Sequence, residues 1–157
     1  MSNDIHFRVV KEIPQGLTPL IEGAVKGFMN DSNLDIEQID PSGFYNATLE
    51  SIANSTYLNG GGEFWLGNTD DELFIYILAG VATDIDGRLA YHVYQAWVRE
   101  DYRGKQIVKN WWEAVRARAK QLMCKHLIVH SSRGYKAYER FLGHGMKHYA
   151  CLLKESL

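Results

Sequence analysis

Arg103, Gly104 and Lys105 set two cations around a glycine in a short polar turn. The residues before it, Tyr91 to Val98, alternate as a strand, and those after it, Lys105 to Met123, have the spacing of an amphipathic helix. The first amides of a helix have no partner within it and point outward, and the helix dipole favours negative charge there. Strand, basic turn and helix N-terminus together make an anion site, and the expected ligand is a phosphate or diphosphate.

The elements that must position this turn follow from the pattern on either side. Ile107, Val108, Trp111, Trp112, Val115, Ala119 and Leu122 form one apolar stripe of the helix, with Lys109, Glu113, Arg116 and Lys120 opposite. Trp111 and Trp112 could stack on a base, but large aromatics on such a stripe belong to a core. Residues 126–132 read as the next strand, followed by a short helix through Tyr135, Tyr138 and Phe141. Upstream, Ile5 to Val10 alternates as a first strand, and Thr18-Pro19 opens a helix carrying Leu20, Ile21, Ala24, Val25 and Phe28. Asp40-Pro41 opens a second helix with Phe44, Leu49 and Ile52. Strands are expected at Glu63 to Gly67 and over the apolar run Leu73 to Ala82, with a hairpin at Asp86-Gly87. The order is β-α-α-β-β-β-α-β-α-β in a single domain over 1–157.

The turn resembles the acetyl-CoA-binding motif of the GNAT superfamily of N-acyltransferases, Arg/Gln-x-x-Gly-x-Gly/Ala after a strand. Tyr102-Arg103-Gly104-Lys105 fits it, while Gln106 and Val108 stand at the two glycine positions, where their side chains are expected to take up room beside the ligand. Ala137-Tyr138-Glu139-Arg140-Phe141-Leu142 is similar to the family's Ala-x-x-Tyr-Glu-Lys-Leu run, with Ser132 ahead of it. A fainter likeness, through Arg140-Phe141-Leu142 before a glycine turn, is to small GNAT-like proteins of tailed bacteriophages. The resemblance implies an α/β (α+β) fold, a mixed twisted sheet with about four helices on both faces. Its strands 91–98 and 126–132 would be parallel and splayed at their C-terminal ends. It implies acetyl-CoA bound by Trp97, Val98, Arg103, Gly104, Lys105, Gln106, Ile107, Val108 and Ser132. A strand amide near Trp97 or Val98 would polarise the thioester carbonyl, and Tyr138 would protonate the departing thiolate. The base would be Glu100 or a water held by the strand.

Composition narrows the setting. The chain has 46% hydrophobic residues and no run of about 18 apolar residues of the kind that crosses a membrane. Met1-Ser2-Asn3-Asp4 lacks the basic and apolar regions of a secretory signal, and Cys124 and Cys151 suit buried thiols in a reducing compartment. A cytoplasmic protein is expected. The net charge of −2 hides an asymmetry: residues 1–98 balance to −10 and residues 99–157 to +8. The basic part could face an anionic cofactor and leave the acidic part, with Asp31, Asp35 and Glu37, to a cationic amine. It could instead bind nucleic acid, the less favoured partner, or both parts could be solvated faces.

Other chemistry-bearing spacings read as structure. His126 and His130 on a strand lie about 13 Å apart along the backbone and cannot share an ion; His144 and His148 flank Gly145, where no helix should persist. No metal is expected. Asp84-Ile85-Asp86-Gly87 lacks the downstream ligand of a calcium loop and reads as a hairpin turn, Asn59-Gly60-Gly61-Gly62 as a flexible one.

Two functions stay open. One is an acetyl-CoA-dependent N-acetyltransferase acting on a small-molecule or protein amine, with a homodimer as the expected assembly. The other is a GNAT-fold binding or structural module that has lost catalysis, favoured by Gln106 and Val108.

Overall fold

The computed structural model describes residues 6–10, 15–31, 42–43, 46–51, 62–69 and 72–130. In chain order these give β1 (His6–Val10), α1 (Thr18–Asp31), a helical segment α2 (46–51), β2 (Gly62–Asn68), β3 (Leu73–Thr83), β4 (Leu89–Val98), α3 (Gln106–Gln121) and β5 (His126–Val129). The strands form one sheet in the order β1-β2-β3-β4-β5, antiparallel up to β4 and parallel between β4 and β5. This is the mixed α+β sheet expected, with α3 as the crossover that a parallel pair requires. Among the described residues the helices number three rather than about four. The expected helix through Tyr138 and the closing strand lie outside them.

The apolar pattern puts a core on each face of the sheet. Ile75, Ile77, Tyr91 and Val93 pack with Val108, Trp111, Trp112 and Val115 of α3. Phe64, Leu66, Tyr76 and Leu78 pack with Ile21, Ala24 and Val25 of α1. β3 is therefore covered on both sides, which is why its sequence is an almost unbroken apolar run. Trp111 is 1% exposed and Trp112 3%, so both are core residues and neither is a stacking platform.

Two departures from regular pairing shape β3 and β4. Gly67 faces Ile75 while Asn68 faces Leu73, which leaves Phe74 unpaired. Phe7 meets Phe74 edge-on at 6.0 Å, and a Cβ on Gly67 would lie 2.9 Å from the Phe7 ring, so only glycine admits this contact. Further along, Leu78 faces Gln95 while Ala79 faces Val93, and Tyr94 is the extra residue of a bulge. The unbroken alternation expected over Tyr91 to Val98 is thereby corrected. Tyr91 and Val93 share the α3 face with Ala96 and Val98, and Trp97 turns to the α1 face. Helix α3 is also shorter than expected. Lys105 is extended at its start (ψ 153), and Met123 takes a left-handed φ of 57 that turns the chain out of the helix.

Candidate active site

Strand β4 delivers the site because its two neighbours do not run equally far. β3 pairs with it from Leu89 to Val98, whereas β5 pairs only from Ala90 to Val93, the ladder closing with the His130 N–H donating to Val93 O at 2.9 Å. Past Val93 no described strand covers the outer edge of β4. The direction of its peptide groups follows from alternation. Arg99 N–H donates to Phe74 O at 2.8 Å, toward β3, so Val98 and Ala96 present their N–H and C=O groups outward. Val98 O confirms the sense by accepting from Arg103 Nε at 3.0 Å. Of the two positions expected to offer a polarising amide, Val98 has its N–H on the open edge. Trp97 spends its backbone on Tyr76 in the β3 ladder and its indole on α1, where a Cβ on Gly27 would come within 2.8 Å of Trp97 Nε1.

The turn after β4 is built on Tyr102. Its ring stacks on Phe74 at 4.6 Å, and the Arg99 guanidinium and Lys105 ammonium lie 4.9 and 4.7 Å from its centre. Arg99 is neutralised: it grips Asp101 through two nitrogens at 2.7 and 2.9 Å and Glu72 at 3.2 Å, and the same contacts hold the Asp101 carboxyl below its ordinary range. Gly104 follows with φ +76, a left-handed conformation suited to glycine. The Val108 N–H donates to Lys105 O at 3.1 Å, while among the described residues no acceptor meets the amides of Gly104, Gln106 and Ile107.

This turn fits a diphosphate, and the two departures from the glycine pattern do not close it. Val108 is fully buried against the sheet, pointing into the α3 core. The Gln106 side chain lies along the helix, its Nε2 donating to Asn110 Oδ1 at 3.0 Å. The expectation that both side chains take up room beside the ligand is corrected: one points inward and the other runs down the helix flank. Lys105 has no salt bridge to a carboxylate among the described residues and is the cation available at the turn. Arg103 is already engaged, paired with Asp31 at the end of α1 as well as with Val98 O.

That ion pair revises the charge reading too. Arg99–Glu72, Arg103–Asp31, Arg118–Glu63 and His126–Asp84 all join the basic part of the chain to the acidic part. Part of the asymmetry is thus spent on holding the fold, and Asp31 is tied to Arg103 at the turn. Asp35 and Glu37 lie outside the described residues, as do Tyr138 and Ser132. Glu100 is exposed in a 3-10 turn (Glu100–Tyr102), its carbonyl accepting from Arg103 N–H at 3.1 Å.

One group of residues escaped the sequence reading. His92 Nδ1 lies 3.0 Å from His130 Nε2, and Tyr94 is stacked on the His92 ring at 5.7 Å and 5.0 Å from that of His130. Burial and the neighbouring His92 hold His130 below the ordinary histidine pKa. His126, considered with His130 as a metal pair, bonds instead to Asp84 at 2.5 Å. Among the described residues no three potential ligands gather into a metal site. The signal missing from the sequence was the bulge at Tyr94, which no residue type announces.

A parallel strand pair that ends its ladder early, followed by an amide-lined turn at a helix N-terminus, defines an acyltransferase-type α+β fold. Residues 30–144 match the model of the acetyltransferase (GNAT) family, and the chain belongs to that family. No curated protein matches it significantly in sequence. Among solved structures it is similar to an acetyltransferase of Trypanosoma brucei (13% identity, TM-score 0.64, covering 98% of this chain and 100% of that one). It is also similar to a ribosomal-protein-alanine N-acetyltransferase of Brucella melitensis (15%, 0.63, 97% and 100%). A third is the aminoglycoside N-acetyltransferase AAC(6')-Iy, solved with CoA (12%, 0.68, 100% and 99%). At such identities the likeness is one of fold. No described helix is long and apolar enough to cross a membrane.

Proposed function

We propose that the chain is an N-acetyltransferase that moves an acetyl group from acetyl-CoA to the nitrogen of an amine. The observation that carries this reading is the continuity of β4. One strand offers the outward Val98 amide at an edge that no described strand covers, and leads within a few residues to the amides of Gly104, Gln106 and Ile107, which meet no acceptor among the described residues. The second feature suits a diphosphate and the first a carbonyl oxygen gaining negative charge. Acetyl-CoA supplies an activated acyl group, and the chain supplies its placement beside the acceptor, which can contribute most of the rate. Tyr138 is the proposed donor of the proton that the departing sulfur takes up, and Ser132 a further contact to the coenzyme. The acceptor is a small-molecule or protein amine, the compartment the cytoplasm, and the assembly a homodimer.

The test has two arms. Calorimetry should detect acetyl-CoA binding, and a ligand at 100 times its dissociation constant should raise stability by about 2.7 kcal/mol. A panel of amines should then reveal turnover, and Tyr138→Phe should lower it by about 10²-fold or more while the protein stays folded. No binding at millimolar acetyl-CoA overturns the reading. Binding without turnover on any amine points to the second reading, a binding module that has lost catalysis, for which Gln106 and Val108 at the glycine positions are the motivating feature.

A further inference from the structure

The histidine pair stands where the β4–β5 ladder ends. β4 and β5 share their last rung at Val93, and the pair straddles that rung: His92 precedes it on β4, His130 follows it on β5, and the bulged Tyr94 lies against both rings. Downstream of the same rung no described strand covers the outer edge of β4, where Ala96 presents its amide outward nearest the pair and Val98 two residues further on. Glu100, the carboxylate that the sequence offers for the task, stands beyond that edge in the exposed turn.

We propose that His130 is the catalytic base that takes a proton from the acceptor amine, and that His92 is the positioning residue that fixes its tautomer. The proposal rests on the acetyl-transfer reading above. With one proton shared between His92 Nδ1 and His130 Nε2 at 3.0 Å, the tautomer in which His130 Nε2–H donates to His92 leaves His130 Nδ1 as a free lone pair. His130 is exposed, so a substrate can reach it, whereas His92 Nε2 is buried and meets no partner among the described residues. His92 therefore has its contact with His130 as its means of orienting a proton.

The proton balance is complete. The acceptor arrives as an ammonium; one of its protons passes to His130 and then to solvent. The C–N bond forms as the C–S bond breaks, and a second proton ends on the leaving sulfur. A base for this step must be neutral at working pH. Burial and His92 both push His130 that way, and among the described residues no carboxylate pulls it back; Tyr94 is the titratable side chain stacked on the pair.

The experiment compares wild type, His130→Gln and His92→Gln in kcat and kcat/KM against pH, with acetyl-CoA, an amine panel, and acetyl-CoA affinity measured in parallel. His130→Gln should lower kcat by about 10²-fold or more, remove the acid limb expected of wild type below the ordinary histidine range, and leave coenzyme affinity unchanged. His92→Gln should lower kcat but keep the limb and move it upward, because one of the two influences that oppose protonation of His130 is gone. Equal kcat and an unchanged limb in His130→Gln overturn the proposal while the transfer reading stands. A wild type that binds acetyl-CoA but acetylates no amine overturns both. If a variant does not fold, ring-nitrogen resonances of wild type decide. A hydrogen-bonded pair with one ring titrating below the ordinary value supports the proposal, and two rings titrating independently near that value overturn it.

Discussion

The bulge at Tyr94 divides β4 into two stretches that solve different problems. From Leu89 to Val93 the strand's backbone is paired on both edges, with β3 and with β5. Tyr91 OH donates to Glu63 Oε2 at 2.6 Å and accepts from Trp65 Nε1 at 2.8 Å, and Arg118 closes the group on Glu63. From Gln95 to Val98 β3 is the only partner among the described strands, and the outer edge keeps amides with nothing described to meet them. The first stretch is saturated and rigid; the second keeps unmet hydrogen-bonding capacity on a strand that the first holds still.

The saturated stretch should give the largest response. Trp111 fills the core under Tyr91 and Val93, and Trp111→Ala leaves a cavity that the sheet cannot collapse into. A loss of about 3–5 kcal/mol is expected, read as a shift in urea midpoint with coenzyme binding recovered in whatever fraction stays folded. A loss below about 1 kcal/mol would mean that α3 can repack, and the contrast between the two stretches would fail.

How much of this was legible beforehand follows the same division. The α3 stripe, the β3 apolar run and the Asp86-Gly87 hairpin depend on periodicity and turn chemistry, which a sequence displays residue by residue. The basic turn at the start of α3 was legible for the same reason, with a glycine placed where φ is +76. The bulge was not. It depends on a register slip between Leu78 and Ala79, a property of two strands together, and with it went the histidine pair, whose members are 38 positions apart. The direction of Val108 and Gln106 was also hidden. The family pattern asks for glycine there, but whether a side chain blocks the turn depends on where it points.

The turn itself should respond more weakly in stability and more strongly in binding. A Cβ on Gly104 would meet nothing within 4 Å, so Gly104→Ala isolates the left-handed conformation as the sole source of cost, about 1–2 kcal/mol. Acetyl-CoA affinity should fall further than that cost explains, since the amides of Gly104 and Gln106 turn with the backbone. Unchanged affinity would remove this turn from the coenzyme site.

Arg103→Gln comes next. Its pair with Asp31 is exposed by more than a third on both sides, so its loss should change stability by about 0–1 kcal/mol. Arg103→Glu should additionally weaken acetyl-CoA binding by placing an anion beside the phosphates, more at low salt than at high. If Arg103→Glu binds as wild type at low salt, Lys105 and the amides suffice, and Arg103 only ties α1 to β4.

The smallest effect at neutral pH, and the most selective, belongs to the far end of β4. Asp84 closes the β3–β4 hairpin: its Oδ1 accepts from Asp86 N–H and Arg88 N–H, both at 2.9 Å, and its Oδ2 meets His126 Nδ1. The Arg88 backbone N–H above all, with His126 and the Asp86 N–H, holds this carboxyl below its ordinary pKa. A carboxyl depressed in the folded state contributes stability above its unfolded value, about 3.9, and loses it as pH falls from there through the folded value. Asp84→Asn keeps an oxygen for the two backbone donors and can offer its amide to the His126 ring. At pH 7 the variant should therefore unfold close to the wild-type midpoint. Below about pH 4 wild type should lose stability more steeply than the variant, because only wild type has this carboxylate to protonate. Urea midpoints for both proteins at pH 7 and pH 3 measure the difference. Parallel acid losses would show that Asp84 is not what pins the hairpin to β5, and that the saturated stretch of β4 is held from the Tyr91 end alone.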